Sequence, residues 1–286
     1  MVRTSAAGVL AVFVGLSVSA QEARPTFEVA SVKAQPQESS ADGLAAAIAQ
    51  APYMRLDGNR FKAANMTAAR LILETHGRDY VHRDQIQGGP DWLDQERFQI
   101  EAVAPAVESS RAGSAVPDSV RGMLRNLVDT RFSLRVSHEM RELPVYTLVR
   151  ARKDGQLGAG LRASKEDCTT TVDARPGEPG FRNECLPRVR IDGIKLVGRP
   201  MDELVRFLMG RLGRLVIDET GLTGTFDVEL SYEVPKTLAG NSRAAVAEFS
   251  AGIFTGVQED LGLRLESKPR PIPVLVIQHI ERPSPN

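Results

Sequence analysis

Three stretches of this chain recur in the same order and at nearly the same spacing, and that recurrence restricts the available folds more than any other feature. With a shift of 133 residues, FKAANMTAARLI from Phe61 falls on IKLVGRPMDELV from Ile194, setting Lys62 on Lys195, Thr67 on Pro200 and Leu71 on Leu204. DQIQGGPDWLDQERFQIEAVAP from Asp84 then parallels LVIDETGLTGTFDVELSYEVP from Leu215. Finally, a gapless shift of 129 lays LVDTRFSLRVSHEMRELPVYTLV from Leu127 on GVQEDLGLRLESKPRPIPVLVIQ from Gly256, matching Leu134 with Leu263 and Pro144 with Pro273. A long period of this kind marks one structural unit copied in tandem.

Each copy reads as strand, helix, two strands, linker, helix and two strands. The expected fold class is therefore α+β, a tandem duplication of a small module with helices packed on mostly antiparallel sheets. Phe98, Ile100 and Ala102 alternate with polar neighbours, as do Phe226, Val228 and Leu230, which is the period of a strand with one buried face. Leu71 and Ile72 in one copy, and Leu204, Val205, Leu208 and Leu212 in the other, have helical spacing. Asn65 or Thr67 can cap the first helix, and Pro200 suits the first turn of the second, where its missing N–H costs nothing. The chain thus divides into a signal peptide at 1–20, a first repeat at 21–153 and a linker at 154–187. A second repeat at 188–286 follows, and the strand FEVASVK at Phe27 joins the first sheet.

The opening MVRTSAAGVLAVFVGLSVSA has an early Arg3, an apolar run too short to span a bilayer, and small residues before Ala20. It predicts export after cleavage near Ala20, to the periplasm or the exterior, with no transmembrane segment in the mature chain; an uncleaved anchor is the alternative. Basic and acidic side chains number 36 each, so no net field draws nucleic acid. In an exported chain, Cys168 and Cys185 in a Pro- and Gly-rich loop predict a disulfide. Closing a loop of about sixteen residues stabilises by roughly 3 kcal/mol on a chain-entropy argument.

Asp218, in IDETGLTGTF, raises the question of a catalytic acid, because an Asp beside Thr and Gly resembles the paired-carboxylate loop of aspartic proteases. The matched turn of the other copy reads QGGP, with Asp91 beyond the glycines, so no second carboxylate is expected. Asp218 and Thr220 should instead bond turn amides, with Gly221 and Gly224 supplying positive φ. Asp91, Asp94, Glu96 and Glu101 crowd around Trp92, where a glycosidase-like acid pair competes with a solvated acidic rim. Trp92 itself either caps its core or anchors a partner. His76, His82, His138 and His279 form neither HExxH nor HxH, and there is no GxSxG elbow or phosphate loop, so neither a metal nor a cofactor is expected.

The blocks FEVASVK, GGPDWLDQERFQIEAVAP, RELPVYTLV, GRLVIDETGLTGTFDVELSY and LGLRLESKPRPIPVLVIQHIERPSPN resemble, in order, those of a large family of exported soil-bacterial proteins known by a domain of unknown function. The repeated unit is also similar to the short N-terminal domain of secretins and TonB-dependent receptors, a module that binds partner proteins. Some relatives carry a similar domain fused to membrane-bound sensor peptidases, which implies sensing or docking outside the cytoplasm. The expectation is a non-enzymatic binding or sensing module that engages a cell-envelope protein or small ligand through a sheet edge or the groove between repeats, with Trp92, Asp91 and Asp218 as candidate binding residues. The alternatives are an envelope hydrolase drawing acids from Asp91, Asp94, Glu96 or Asp218, and a structural component polymerising through its edges.

Overall fold

A computed structural model describes residues 24–36, 51–77, 79–105, 116–169, 182–235 and 243–283; the expected signal peptide lies outside them, as do parts of the polar loops. The first copy contains β1 (Val29–Gln35), β2 (Tyr53–Asp57), β3 (Arg60–Thr67), α1 (Ala68–Thr75), β4 (Ile86–Gln87), α2 (Trp92–Gln95), β5 (Arg97–Val103), α3 (Asp118–Arg131) and β6 (Arg135–Arg150). The second contains β7 (Leu161–Ala163), β8 (Arg188–Arg190), β9 (Gly193–Arg199), α4 (Met201–Leu212), β10 (Val216–Asp218), β11 (Phe226–Ser231), α5 (Arg243–Glu259) and β12 (Leu263–His279). The class is α+β, with most pairings antiparallel.

The duplication is visible in the pairing itself. One sheet runs β1-β5-β3-β2 and its counterpart β7-β11-β9-β8, the same order of equivalent strands. Both contain one irregularity at one place: the register slips between Ala63 and Met66 in β3, and opposite Phe226 and Val228 in β9. The residue absorbing the slip has a left-handed backbone in each, Asn65 at φ 57° and Gly198 at φ 62°, and these are 133 positions apart, the shift read from the sequence. A bulge with a positive-φ residue is a specific device that bends a strand, so its repetition reflects common construction.

Local chemistry accounts for the helices. Thr67 caps α1 by accepting the Arg70 N–H at 3.2 Å, whereas Asn65 is spent on the bulge. Pro200 stands at the N-cap of α4 itself, one residue earlier than expected, with Asp202 and Glu203 in the first turn and Arg211 in the last, the charge order that complements the helix dipole.

The third sheet joins the copies. Its order is β10-β6-β12-β4, with β6 and β12 antiparallel along almost their full length and a short parallel strand on each flank. Glu142 faces Pro271 at its centre, and these are equivalent under the shift of 129, so a pseudo-twofold axis passes between them. Each long strand crosses that axis. Val145 and Leu148 of β6 are buried with Leu204, Leu208 and Leu263 in the second core, while Leu275 of β12 is buried with Phe98, Leu124 and Phe132 in the first. Each core is therefore completed by the far end of the other copy's strand, and chain order and core membership differ.

The disulfide joins Cys168 to Cys185 across 17 positions. Its two cysteines lie on the β9 bulge, where the Cys168 N–H donates to the Gly198 carbonyl and buried Arg199 donates to the Cys185 carbonyl. A side chain at Gly198 would meet the Glu166 carbonyl oxygen at 2.6 Å, so this position requires glycine both for its φ and for the close approach.

Candidate functional site

The central ribbon has two outer edges, and they differ. Along β6, the Tyr146 N–H donates to the Leu215 carbonyl and the Leu148 carbonyl accepts from Glu219, so even-numbered residues of β6 point their backbone groups away from β12. The β6–β12 register is unbroken from Val136 to Arg150. Strand alternation then places the N–H and C=O groups of Val136, His138, Met140 and Glu142 on the outer edge, where no described strand pairs with them. Met140 is 62% exposed, so this edge is open to solvent.

The equivalent edge of β12 carries Pro269, Pro271 and Pro273, facing Pro144, Glu142 and Met140. Pro144 and Pro269 oppose each other without an N–H between them, so both nitrogens point outward, as do those of Pro271 and Pro273 in the same alternation. That edge lacks donors at three successive outward positions, where β6 lacks only the one at Pro144, and this disfavours strand addition.

Where the open edge of β6 meets β10, a groove of about 380 Å³ is lined by Leu143, Pro144, Val145, Gly213, Arg214, Leu215, Asp84 and Gln87. The Arg214 guanidinium lies 4.8 Å over the Tyr146 ring, and that ring packs edge-on against Phe254. Arg214 forms no ion pair with any described residue. The other charged group, Asp84, lies 3.2 Å from His82 Nδ1.

The candidate residues from sequence lie elsewhere. Asp218 is exposed, and its Oδ1 accepts the Thr220 N–H at 2.8 Å while Thr220 Oγ1 accepts the Leu222 N–H, the turn bonding expected of them; Gly221 and Gly224 have φ of 65° and 96°. Trp92, 8% exposed, stacks on Phe132, meets Phe98 edge-on and is covered by Arg282 at 5.2 Å. It caps the first core. Asp91 is exposed at the start of α2 and makes no capping bond.

The neighbouring acids disperse into separate pairs. Asp94 takes a two-pronged contact from Arg83, and Glu96 one from Arg282. Hydrogen bonds from Lys62 and Gln99 hold the Glu101 carboxyl below its usual range, the opposite of what a general acid needs. The four histidines have four settings. Nδ1 of buried His76 bonds the Ile72 carbonyl, His82 caps a short 3-10 turn, His138 bonds Tyr80, and His279 pairs with Glu281.

Sequence reasoning missed Arg214 and the asymmetric edges. PRPIP was a signal for the closed edge, because alternating prolines leave one side of a strand without donors.

This geometry defines a class: a duplicated α+β protein whose copies exchange strand ends across a shared ribbon. The chain belongs to a family described as protein of unknown function (DUF3738), whose model matches residues 80–280. Comparison with curated proteins and with solved structures finds no match.

Proposed function

We propose that this chain is an exported binding module that engages an extended segment of a cell-envelope protein along the open edge of β6. The observation that carries this reading is the row of outward amides at Val136, His138, Met140 and Glu142, beside a groove, on a ribbon whose equivalent edge has lost three donors to proline. Backbone pairing gives affinity without dedicated side-chain chemistry, consistent with candidate acids that are engaged in turns and ion pairs. Export is supported by the N-terminal sequence and by the disulfide, which persists in oxidising compartments. No described helix is long and apolar enough to cross a membrane.

The test places a photo-crosslinking side chain at Met140, on the open edge, or at Ser267, on the edge of β12, in cells expressing the full chain. Discrete adducts from Met140 and none from Ser267 are expected. Equal patterns from both positions would sink edge docking, and a chain retained in the cytoplasm with residues 1–20 intact would sink export.

A further inference from the structure

The groove at the end of the open edge contains a positive charge that forms no ion pair with a described residue, and its position relative to the ladder selects what could reach it. β10 runs parallel to β6, starting beside Tyr146, and the outer edge ahead of it from Val136 to Glu142 is vacant of any described strand. Pro144 has no N–H, so donation along that edge stops at Glu142, before β10 begins. A segment added there reaches Leu143–Val145 with its end unpaired, facing Gly213, Arg214 and Leu215 across the groove.

Resting on the edge-docking reading above, we infer that the groove receives the C-terminal carboxylate of a partner polypeptide, bound parallel to β6 and held by Arg214. Direction follows from charge. A parallel segment presents its carboxylate to the groove and an antiparallel one its ammonium; Arg214, the groove's cation, forms no ion pair with a described residue, whereas the groove's carboxylate, Asp84, already lies 3.2 Å from His82 Nδ1. The Tyr146 ring fixes the guanidinium by cation–π stacking, so little side-chain freedom remains to be lost on binding. A charge-assisted bond to a terminal carboxylate is about twice as strong as a neutral one. Leu143, half-buried on the groove wall, offers an apolar contact to the terminal side chain.

The test uses the mature chain and a peptide library tethered by its N-termini, random in the last positions, prepared once with free carboxylates and once amidated. The free-carboxylate pool should bind at least about tenfold more tightly, a difference of about 1.4 kcal/mol. Arg214→Gln should erase that preference, and Met140→Pro, which removes one outward donor, should weaken both pools. Circular dichroism and Trp92 emission verify folding of each variant. Equal binding of both pools, still lost in Met140→Pro, overturns carboxylate capture while leaving edge docking standing. Binding of neither pool overturns both, and a carboxylate preference that survives Arg214→Gln overturns the assignment of Arg214.

Discussion

β6 and β12 are copies of one strand, aligned without a gap and paired with each other about a pseudo-twofold axis, yet one presents donors to solvent and the other presents prolines. A duplicated unit starts with two equal edges, and two adhesive edges on one molecule favour open-ended association. Pro269 and Pro271 on β12 remove the outward donors that Met140 and Glu142 keep on β6. The same divergence appears at the bulge. Asn65 and Gly198 have the same left-handed backbone, but only Gly198 is overlaid by the backbone of residues 166–168, so only there is a side chain excluded.

The comparison breaks most forcefully at the exchanged core residues. Leu148 and Leu275 are both fully buried, each in the core of the opposite copy. Truncating either to Ala should cost about 2–5 kcal/mol in denaturant unfolding. Hydrogen exchange should then report the loss across the divide: Leu148→Ala should deprotect α4 and β11 before α3 and β5, and Leu275→Ala the reverse. Deprotection confined to the copy carrying the substitution would refute the exchange.

Replacing both Cys168 and Cys185 by Ser sharpens the comparison next, because the first copy has no such staple. Stability should fall by about 3 kcal/mol, and the loss should appear as a lower denaturant midpoint with early exposure of β8 and β9.

At the bulge, Gly198→Ala should destabilise by about 1–3 kcal/mol through backbone strain and the clash with Glu166. Its counterpart Asn65→Ala should cost less, since that residue already holds a left-handed backbone without glycine. Equal midpoints for the two variants would remove the overlay by residues 166–168 as the reason for glycine.

The smallest effect concerns pH. His76 is buried in the first copy, and burial, partly offset by its bond to Ile72, pushes its pKa down; the equivalent position of the second copy is Met209. A depressed folded-state pKa means that the unfolded chain takes up the proton first. The stability present above about pH 6.5 therefore drains away as the pH falls below it. His76→Met should flatten this part of the profile, measured as the difference between variant and wild-type unfolding from pH 7 to 5. Parallel profiles would show that His76 is not its source.

Much of this was legible before any coordinates. The alternation of Phe98, Ile100 and Ala102 located β5 and its buried face, the Asp218-Thr220-Gly221 sequence specified a turn, and the repeat predicted two like sheets. Asn65 was misplaced as a cap, because a left-handed residue before a helix and a capping residue have the same composition. The groove was not legible at all. Arg214 and Asp84 stand far apart in sequence, and neither pattern nor spacing indicates that they line one depression.

By itself the sequence determined the local elements and their duplication, since side-chain periodicity, caps and turn residues act over a few neighbouring positions. Only the tertiary structure decided which core receives the far end of each long strand and which outer edge stays open. The reason is physical: a run such as PVYTLV specifies that one face must be buried, but any complementary apolar surface satisfies that demand, and the choice belongs to packing between segments more than a hundred residues apart.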